Sequence, residues 1–421
     1  MITTTELFPG VTLRCVRADR FKQGCLSFQI LRPMRREEAH INALIPAVLL
    51  RGTKHHSDLR TITLRLDELY GASVGTLVRR IGDYQSVGLF CSFMEDRFTL
   101  NGDRVLEPML DFLREILLEP VTEDGGFSRS FVESEKKNLI ATIESELNDK
   151  RAYAMNSLLR AMCRGDSFGI PRLGEKEDVA AINSVEAWKH YQKILQESRI
   201  DLFYVGSAPA EEVARQLMPI FQGIERNYHS LPPQSAFRDL GGSDFAEEMD
   251  VTQGKLCLGY VTSITNRDPE FVAMQMMNTI FGAGMTSKLF MNIREKMSLC
   301  YAIGSGYYGS KGIVTVSAGI DFDKEQQTRR EIARQLQDIC DGKITPDEMQ
   351  AAREALLSSL RGTHDAPGSI EGYYATTAIS GMGLTPQQYM DAITLVSPEQ
   401  VAAAARTLKL HTGFFLKGVG A

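Results

Sequence analysis

The sequence has few of the features that mark secreted or membrane-spanning proteins. Its seven cysteines stand singly, with no CxxC pair and an odd total, so neither a zinc ribbon nor a disulfide framework is indicated. Such thiols are expected to be reduced and mostly buried in a cytosolic protein. The N-terminal segment lacks the basic and apolar regions of a signal peptide, and no apolar run approaches the roughly 20 residues that span a bilayer. We therefore expect a cytoplasmic protein.

Positive charge is not in excess, and this argues against a general nucleic-acid-binding surface. The formal net charge is −6 and the isoelectric point is about 5.8. The composition is otherwise ordinary, since a hydrophobic content of 43% is enough to build a sizeable core. At 421 residues the chain is longer than most single cores, which rarely exceed about 250–300 residues. At least two domains are expected.

Histidine is scarce, and the seven that are present do not form a metal-binding pattern. No HxxEH or HxxH spacing occurs, and only His55 and His56 are neighbours. Adjacent side chains do not face each other on a helix or a strand, and this pair lies in a turn-like segment, residues 52–57. A solvated loop is the favoured interpretation for the pair, and also for His364.

The chain repeats itself weakly at a long period. Three residues of one segment recur 213 positions later, since 391 − 178, 397 − 184 and 399 − 186 are equal. The matched pairs are Asp178 with Asp391, Ser184 with Ser397, and Glu186 with Glu399. Each segment then runs into a strand-like stretch, residues 201–206 and 413–418, and this favours a duplication over coincidence. Tandem prolines in residues 231–235 are typical of an exposed linker, so we predict an N-terminal domain of residues 1–230 and a C-terminal domain of residues 236–421.

Strand and helix signals alternate within each half. Residues 101–119 carry apolar side chains at helical spacing, and residues 131–150 are typical of a long helix rich in Glu and Lys. The apolar stripe of the first helix is Val105, Leu106, Met109, Leu110, Leu113, Ile116 and Leu117. In residues 85–93 every second side chain is apolar, as expected of a strand with one covered face, and residues 256–262 and 314–320 show the same alternation. We predict two α+β domains, each a mainly antiparallel sheet covered by helices.

Two glycine-rich stretches are candidates for ligand binding. Residues 304–309 match GxGxxG, but an alternating strand follows them, so a β-hairpin is favoured over a nucleotide site. Residues 282–287 precede a helix, but another helix comes before them and the GK[ST] order is missing. The start of the second helix could hold an oxyanion or a peptide carbonyl, whereas phosphate is not specifically indicated.

Residues 284–301 form the most informative stretch of the chain. Thr286 or Ser287 can cap a helix. The expected buried stripe of that helix is Leu289, Phe290, Ile293 and Met297. Arg294 falls beside the stripe near the helix end and Tyr301 opens the next strand, so the two could hold a substrate carbonyl or the oxyanion of a tetrahedral intermediate. Spacing alone favours the alternative, in which Arg294 pairs with a helix-end carbonyl or carboxylate and Tyr301 packs in the core.

This stretch, GMTSKLFMNIREKMSLCY, resembles the second-domain signature of the insulinase/pitrilysin-type zinc peptidases, GGGMSSRLF…REKRGLAY. Arg294 and Tyr301 fall on the Arg/Tyr pair of that signature, and Ser298 replaces its usual Gly. The resemblance covers essentially the whole chain, including residues 48–54 (VLLRGTK) and 69–73 (LYGAS). It implies the half clam-shell fold of the processing-peptidase branch, with two homologous domains.

The zinc ligands of that family are absent where the resemblance places them. Active members carry HxxEH in the first domain and a further Glu in a later helix. Ala43, Pro46 and Ala47 fall on the two His and the catalytic Glu, and Thr142 falls on the distal Glu. None of these side chains supplies the imidazole, thiolate or carboxylate donors that zinc requires. The resemblance therefore implies a chain that binds no metal and no other cofactor, like the ligand-less bacterial subunits of the family.

The resemblance also implies a heterodimer, in which an HxxEH-containing homologous subunit supplies zinc and this chain supplies Arg294, Tyr301 and half of the chamber. The expected function is that of a non-zinc-binding metallopeptidase subunit, inactive alone, that encloses and positions a peptide substrate such as a ribosomally made precursor. The alternative is a non-proteolytic peptide-binding or scaffold protein of the same fold. Without the partner, a homodimer is a possible arrangement, and a homodimer with a non-metal activity is the least favoured interpretation. Neither a nucleic acid nor a membrane is an expected partner.

Overall fold

The chain folds into two compact units, each assembled from three segments. The computed structural model describes residues 2–420, apart from the side chain of Leu147. The first unit comprises Met1–Glu144, Ile170–Pro233 and His364–Thr376, and the second comprises Ser145–Gly169, Gln234–Thr363 and Thr377–Ala421. The chain passes from one unit to the other between Pro233 and Gln234, inside the predicted linker 231–235.

Thirteen strands lie within residues 2–420. In chain order they are β1 (Ile2–Phe8), β2 (Val11–Arg17), β3 (Gln23–Pro33), β4 (Ser73–Ile81), β5 (Tyr84–Met94), β6 (Thr122–Glu123), β7 (Gly126–Phe127), β8 (Arg199–Gly206), β9 (Asp244–Met249), β10 (Gly254–Val261), β11 (Cys300–Tyr308), β12 (Ile313–Ile320) and β13 (Lys409–Gly418).

The same part of the chain forms fourteen α-helices. They are α1 (Arg36–Leu49), α2 (Leu59–Glu68), α3 (Leu106–Leu118), α4 (Arg129–Asn148), α5 (Lys150–Met162), α6 (Lys176–Ala181), α7 (Ser184–Glu197), α8 (Ala210–Phe221), α9 (Phe271–Asn278), α10 (Glu325–Cys340), α11 (Pro346–Gly362), α12 (Pro367–Ser380), α13 (Pro386–Leu395) and α14 (Pro398–Arg406). Two further segments, Thr279–Ala283 and Leu289–Lys296, are π-helical.

The first unit is built on a six-stranded sheet with the order β1-β2-β8-β3-β5-β4. Its neighbouring strands are antiparallel except for β2 and β8. Phe28, Leu89 and Leu202 point from this sheet into one core and are fully buried. Residues of α1, α3, α7 and α8 pack into the same core, because their apolar stripes lose contact with water there.

Helix α3 confirms the apolar stripe that was predicted for residues 101–119. All seven apolar side chains of the predicted stripe are at most 5% exposed. The helix begins at Leu106 rather than near Asn101, because Asn101 and Gly102 adopt positive φ values of 58° and 75°. The Asp96 carboxylate then accepts the N–H groups of Val105 and Leu106 at 2.8 and 3.0 Å, which satisfies the first helical donors.

The second unit repeats the strand order of the first. Its five-stranded sheet runs β11-β12-β10-β13-β9, which corresponds strand by strand to β4-β5-β3-β8-β2. In each sheet a single parallel pair occurs at the corresponding place, β13 with β9 and β2 with β8, and the other pairs are antiparallel. The segments that recur 213 positions apart fall on α6 and α13 and on the helices that follow them. The predicted fold, two homologous domains with mainly antiparallel sheets covered by helices, is confirmed.

Each half contributes one helix to the unit formed mainly by the other half. Ala154 and Leu158 of α5 pack on Cys257 and Phe414 of the second sheet. Ile370 of α12 packs on Cys25 of β3 in the first unit. The prediction divides the chain once, into residues 1–230 and 236–421, and does not include this exchange of helices. These domain boundaries stay a prediction.

Both exchanged segments are tied down by a buried charge. In the first unit, Glu371 of α12 is 1% exposed and accepts hydrogen bonds from Ser27 at 2.7 Å and Arg79 at 3.0 Å. In the second unit, Asp166 lies 2.9 Å from Lys311, whose side chain is 0% exposed. Because a buried charge is costly without a partner, these pairs favour a single docked position for each segment.

Two expectations about composition can be compared with the fold. The seven cysteines are all free, and six of them are buried, as predicted. No helix in the described part of the chain combines the length and apolar character needed to cross a bilayer.

Candidate functional site

Arg294 lies on the π-helix that begins at Leu289 and ends at Lys296. In this wider helix the Met297 N–H reaches five residues back and donates to the Asn292 carbonyl at 3.1 Å. Leu289 and Ile293 are fully buried, whereas Met297 is 40% exposed. The prediction that Met297 completes the buried stripe is therefore wrong, because a π-helix turns through a smaller angle per residue than the α-helix that the spacing assumed.

Polar contacts fix this π-helix on the second unit. Asn292 Nδ2 donates to Oε1 of Gln335 on α10 at 2.7 Å, and Gln335 is 1% exposed. At the start of the helix, Ser287 Oγ accepts the Phe290 N–H at 3.4 Å, although the residue directly before the π-helix is Lys288. The backbone that carries Arg294 is thereby anchored to the core.

The Arg294 side chain remains accessible. Its guanidinium lies over the Phe290 ring, 4.6 Å from the centroid, which stabilises the cation on that ring. The nearest carboxylate, Glu295, is 3.6 Å away, longer than a hydrogen bond. With 41% of its side chain exposed, Arg294 keeps donors available to a ligand.

Tyr301 is the second residue of β11 and lies at a β-bulge. The pairing with β12 shifts between Cys300, which faces Ile320, and Ala302, which faces Gly319. A bulge of this kind re-aims a side chain out of the regular alternation. Tyr301 is 65% exposed, and its hydroxyl is 3.5 Å from Asp321, at the limit of a hydrogen bond. The alternative that buries Tyr301 in the core is wrong.

Arg294 and Tyr301 lie on either side of the turn that leads from the π-helix to β11. Burial raises the pKa of the Cys300 thiol to about 11, and the positive charge of Arg294 acts in the opposite direction. The charge of Arg294 therefore acts on the residue that precedes Tyr301. Within residues 2–420 no hydrogen bond joins the two side chains, so neither occupies the donors of the other.

Ser298 holds a backbone conformation that favours glycine. Its φ is 51°, in the left-handed region. Its N–H donates to the Arg294 carbonyl at 3.1 Å, and the next N–H, that of Leu299, donates to Ile293 at 3.0 Å. This turn ends the π-helix and starts the path to Tyr301, which gives a physical reason for the glycine that the resemblance expects at this position.

The two glycine-rich stretches of the sequence meet at one cleft of about 640 Å³. We call it the glycine cleft. Its lining is Asp149, Arg151, Ala152, Met155, Gly282, Ala283, Gly284, Met285, Phe290, Ile303, Gly304, Ser305, Gly306, Tyr308, Thr315 and Ser317. Residues 304–308 belong to β11, which forms a hairpin with β12, so the prediction of a hairpin at the GxGxxG match is confirmed. Sequence reasoning did not predict that both stretches line the same cleft.

Comparison with known proteins decides which family this is. A family model described as "Peptidase M16 inactive domain" matches residues 182–356. The sequence is also 30% identical over 409 residues to a protein of Bacillus subtilis (strain 168) described as "Probable inactive metalloprotease YmfF", a match that covers 97% of this chain and 96% of that one. The chain belongs to the M16 peptidase family.

Two further similar proteins show the range of the similarity. A protein of Rickettsia bellii (strain RML369-C) described as "Uncharacterized zinc protease" is 22% identical over 347 residues, 80% of this chain and 82% of that one. The crystal structure of a conserved protein from Enterococcus faecalis V583 superposes with a TM-score of 0.90 at 27% identity, over 99% of this chain and 98% of that one. The resemblance to the insulinase-type family is thus confirmed.

The residues of this M16 chain do not fit a catalytic zinc at the family's ligand positions. Ala43 and Pro46 are buried in α1, and Ala47 is half-buried beside them. Thr142, on α4, is exposed and its hydroxyl donates to the Asn138 carbonyl at 2.9 Å. Zinc requires imidazole, thiolate or carboxylate donors. In the part of the chain that the structure describes, no group of three or more His, Cys, Asp and Glu side chains could hold a metal ion.

A buried polar network adjoins these positions and was not anticipated from the sequence. Asn42, 0% exposed, accepts a hydrogen bond from His190 Nε2 at 2.7 Å and donates to Gln85 at 3.0 Å. Burial lowers the pKa of His190 to about 4, with Arg32 acting in the same direction and Glu38 against it. A neutral His190 protonated on Nε2 donates to Asn42, so this network links α7 to α1.

The solvated-loop interpretation is wrong for one of the two adjacent histidines. His56 Nδ1 lies 2.8 Å from Glu115, its ring packs against Phe112, and its side chain is 23% exposed. Burial alone would raise the pKa of Glu115, but hydrogen bonds from Thr53 and His56 outweigh it and lower that pKa. His55 is 68% exposed, as predicted, and His364 is half-buried.

Proposed function

We propose that this M16 chain is the non-zinc-binding subunit of a heterodimeric metallopeptidase. An HxxEH-containing homologous subunit would supply the zinc and the general base, because the residues at Ala43, Pro46, Ala47 and Thr142 do not fit that role. This chain would enclose and position the peptide substrate. The chain alone would be inactive.

The observation that carries the proposal is the accessibility of the Arg/Tyr pair. A pair kept only for packing would be buried, whereas Arg294 and Tyr301 are 41% and 65% exposed. The guanidinium offers five N–H donors and a fixed positive charge, and the phenol offers one O–H donor. Directed at a peptide carbonyl, they would hold the substrate backbone and stabilise the negative charge that develops on that oxygen during hydrolysis.

The proposal is tested by joining the two subunits. The chain is co-expressed with an HxxEH-containing homologue, and zinc content and cleavage of a fluorogenic peptide are measured for the purified complex. We expect Arg294→Ala and Tyr301→Phe to lower kcat/KM by about 10²–10³-fold, the usual effect of removing an oxyanion donor. The matched control is Arg330→Ala, since Arg330 is an exposed arginine on α10 and not on the π-helix.

The outcomes separate the proposal from its alternative. The complex should stay intact in every variant, as measured by light scattering after size-exclusion chromatography. If cleavage is zinc-dependent but unchanged in both Arg294 and Tyr301 variants, the role proposed for the pair is wrong. If the complex binds peptides without cleaving them, the alternative of a non-proteolytic peptide-binding protein holds. If no complex forms with any HxxEH-containing homologue, the heterodimer itself is refuted.

A further inference from the structure

The glycine cleft has one apolar side. Met155 of α5, Met285 and Phe290 line it together with Ile303 and Tyr308. Met285 is 77% exposed, so its apolar surface is available to a ligand. Phe290 is also the ring on which the Arg294 guanidinium rests. The cleft and the Arg294 donors are therefore neighbours.

The other side of the glycine cleft is polar and uncovered. Gly304 and Gly306 have no side chains to cover the backbone of β11, which is the edge strand of its sheet. On the paired strand, Gly304 faces Ser317 and Gly306 faces Thr315, so two hydroxyl side chains continue this polar surface. Backbone groups at a sheet edge pair readily with an extended peptide.

The cleft carries no excess of either charge that would favour a charged ligand. Asp149 and Arg151, one acid and one base, are the charged residues in the described lining. The Asp149 carboxylate accepts N–H groups at the start of α5, and Arg151 reaches towards Ser317 at 3.5 Å. Neither sign of charge dominates, so apolar contact and backbone hydrogen bonds are the interactions that this cleft can offer.

We infer that the glycine cleft binds a large aliphatic or aromatic apolar side chain of an extended peptide whose backbone lies along β11. The inference rests on the proposed function and names its substrate class: peptides that carry Leu, Met or Phe beside the segment held by Arg294. Flexible, polarisable methionine side chains adapt to several apolar shapes. The cleft therefore selects a class of side chains and not a single residue.

The test uses two fluorescein-labelled 12-residue peptides that are identical except that alternate positions carry Leu in one and Ser in the other. Binding to the full chain, and to its complex with the homologous subunit, is measured by fluorescence anisotropy. We expect the Leu peptide to bind at least about tenfold more tightly, which corresponds to about 1.4 kcal/mol.

Three variants locate the preference. Met285→Gln should remove most of the advantage of the Leu peptide, because it replaces an apolar side chain of the lining by a polar one. Gly306→Val should weaken binding of the Leu peptide, because the new side chain occupies the cleft. Met291→Gln is the matched control, since Met291 is 41% exposed but lies outside the lining. It should leave both affinities unchanged.

Each outcome has a defined meaning. Equal binding of the two peptides overturns the inference and leaves the proposed function standing. An equal loss in the Met285 and Met291 variants also overturns it, since the preference would then not come from the cleft. If neither peptide binds the chain or the complex, peptide positioning by this chain fails, and the inference fails with it.

Discussion

Replacing Lys311 by Met is expected to destabilise the second unit strongly. The Lys311 side chain is 0% exposed, and its ammonium lies 2.9 Å from the Asp166 carboxylate and 2.9 Å from the Ser235 hydroxyl. Methionine keeps most of the side-chain volume but leaves the Asp166 carboxylate, 2% exposed, without its cation. Removal of one partner of a buried pair costs about 3–5 kcal/mol. The Phe168 N–H, which donates to Asp166 at 2.8 Å, offsets only part of this loss.

Two further variants isolate the effect of burial. Lys343→Met is the matched control: Nζ of Lys343 lies 2.8 Å from Asp338, but its side chain is 65% exposed, so solvent already screens the pair and little change is expected. Lys311→Met combined with Asp166→Leu removes both charges and should recover much of the stability. Urea unfolding followed by circular dichroism gives the free energies. If Lys311→Met costs no more than Lys343→Met, the argument from burial is refuted.

Three other substitutions follow from the structure. The pKa of His190 is about 4 in the fold and about 6.5 in the unfolded chain, so the free energy of unfolding should fall by about 3 kcal/mol as pH drops through this interval. His190→Gln should remove that pH dependence in urea titrations across pH 4–7. If the free energy of unfolding of the variant depends on pH as strongly as that of the wild type, the prediction is wrong. Ser298→Gly should raise stability by about 0.5–1 kcal/mol in thermal unfolding, because glycine relieves the positive φ; a lower melting temperature would count against this. Gly282→Ala should lower the stability by about 1–3 kcal/mol, because the added Cβ would lie 2.7 Å from Leu289 and 2.8 Å from Ser305. Gly284→Ala should be tolerated, because no atom lies within 4 Å of its added Cβ. Equal losses of stability in the two variants, measured by thermal unfolding, would refute the clash.

Local patterns in the sequence predicted the elements well. Helix α3 and strand β5 carry apolar residues at spacings of 3–4 and 2, and burial of one face follows directly from those spacings. The repeat at 213 positions predicted a duplication, which the matching strand orders of the two sheets confirm. These features depend on residues close in sequence or on a repeated pattern, so they can be read without coordinates.

Other features depend on contacts that a local pattern does not contain. Met297 is exposed because the segment is π-helical, and the sequence carries no sign of that wider turn. His56 is held by Glu115, which is 59 positions away. Lys311 pairs with Asp166 across 145 positions, and the sequence does not indicate which of 53 acidic residues it meets. The position of Tyr301 in the sequence was predicted, but its exposure depends on a bulge set by the pairing of β11 with β12.

The exchange of α5 and α12 has a consequence for any attempt to divide the gene. A gene fragment that stops at the tandem prolines would encode a polypeptide that lacks Glu371, while the complementary polypeptide would lack Asp166. Each piece would expose the sheet surface that the missing helix normally covers, and would aggregate when produced separately. Simultaneous synthesis of both pieces would let each one supply the helix that the other lacks.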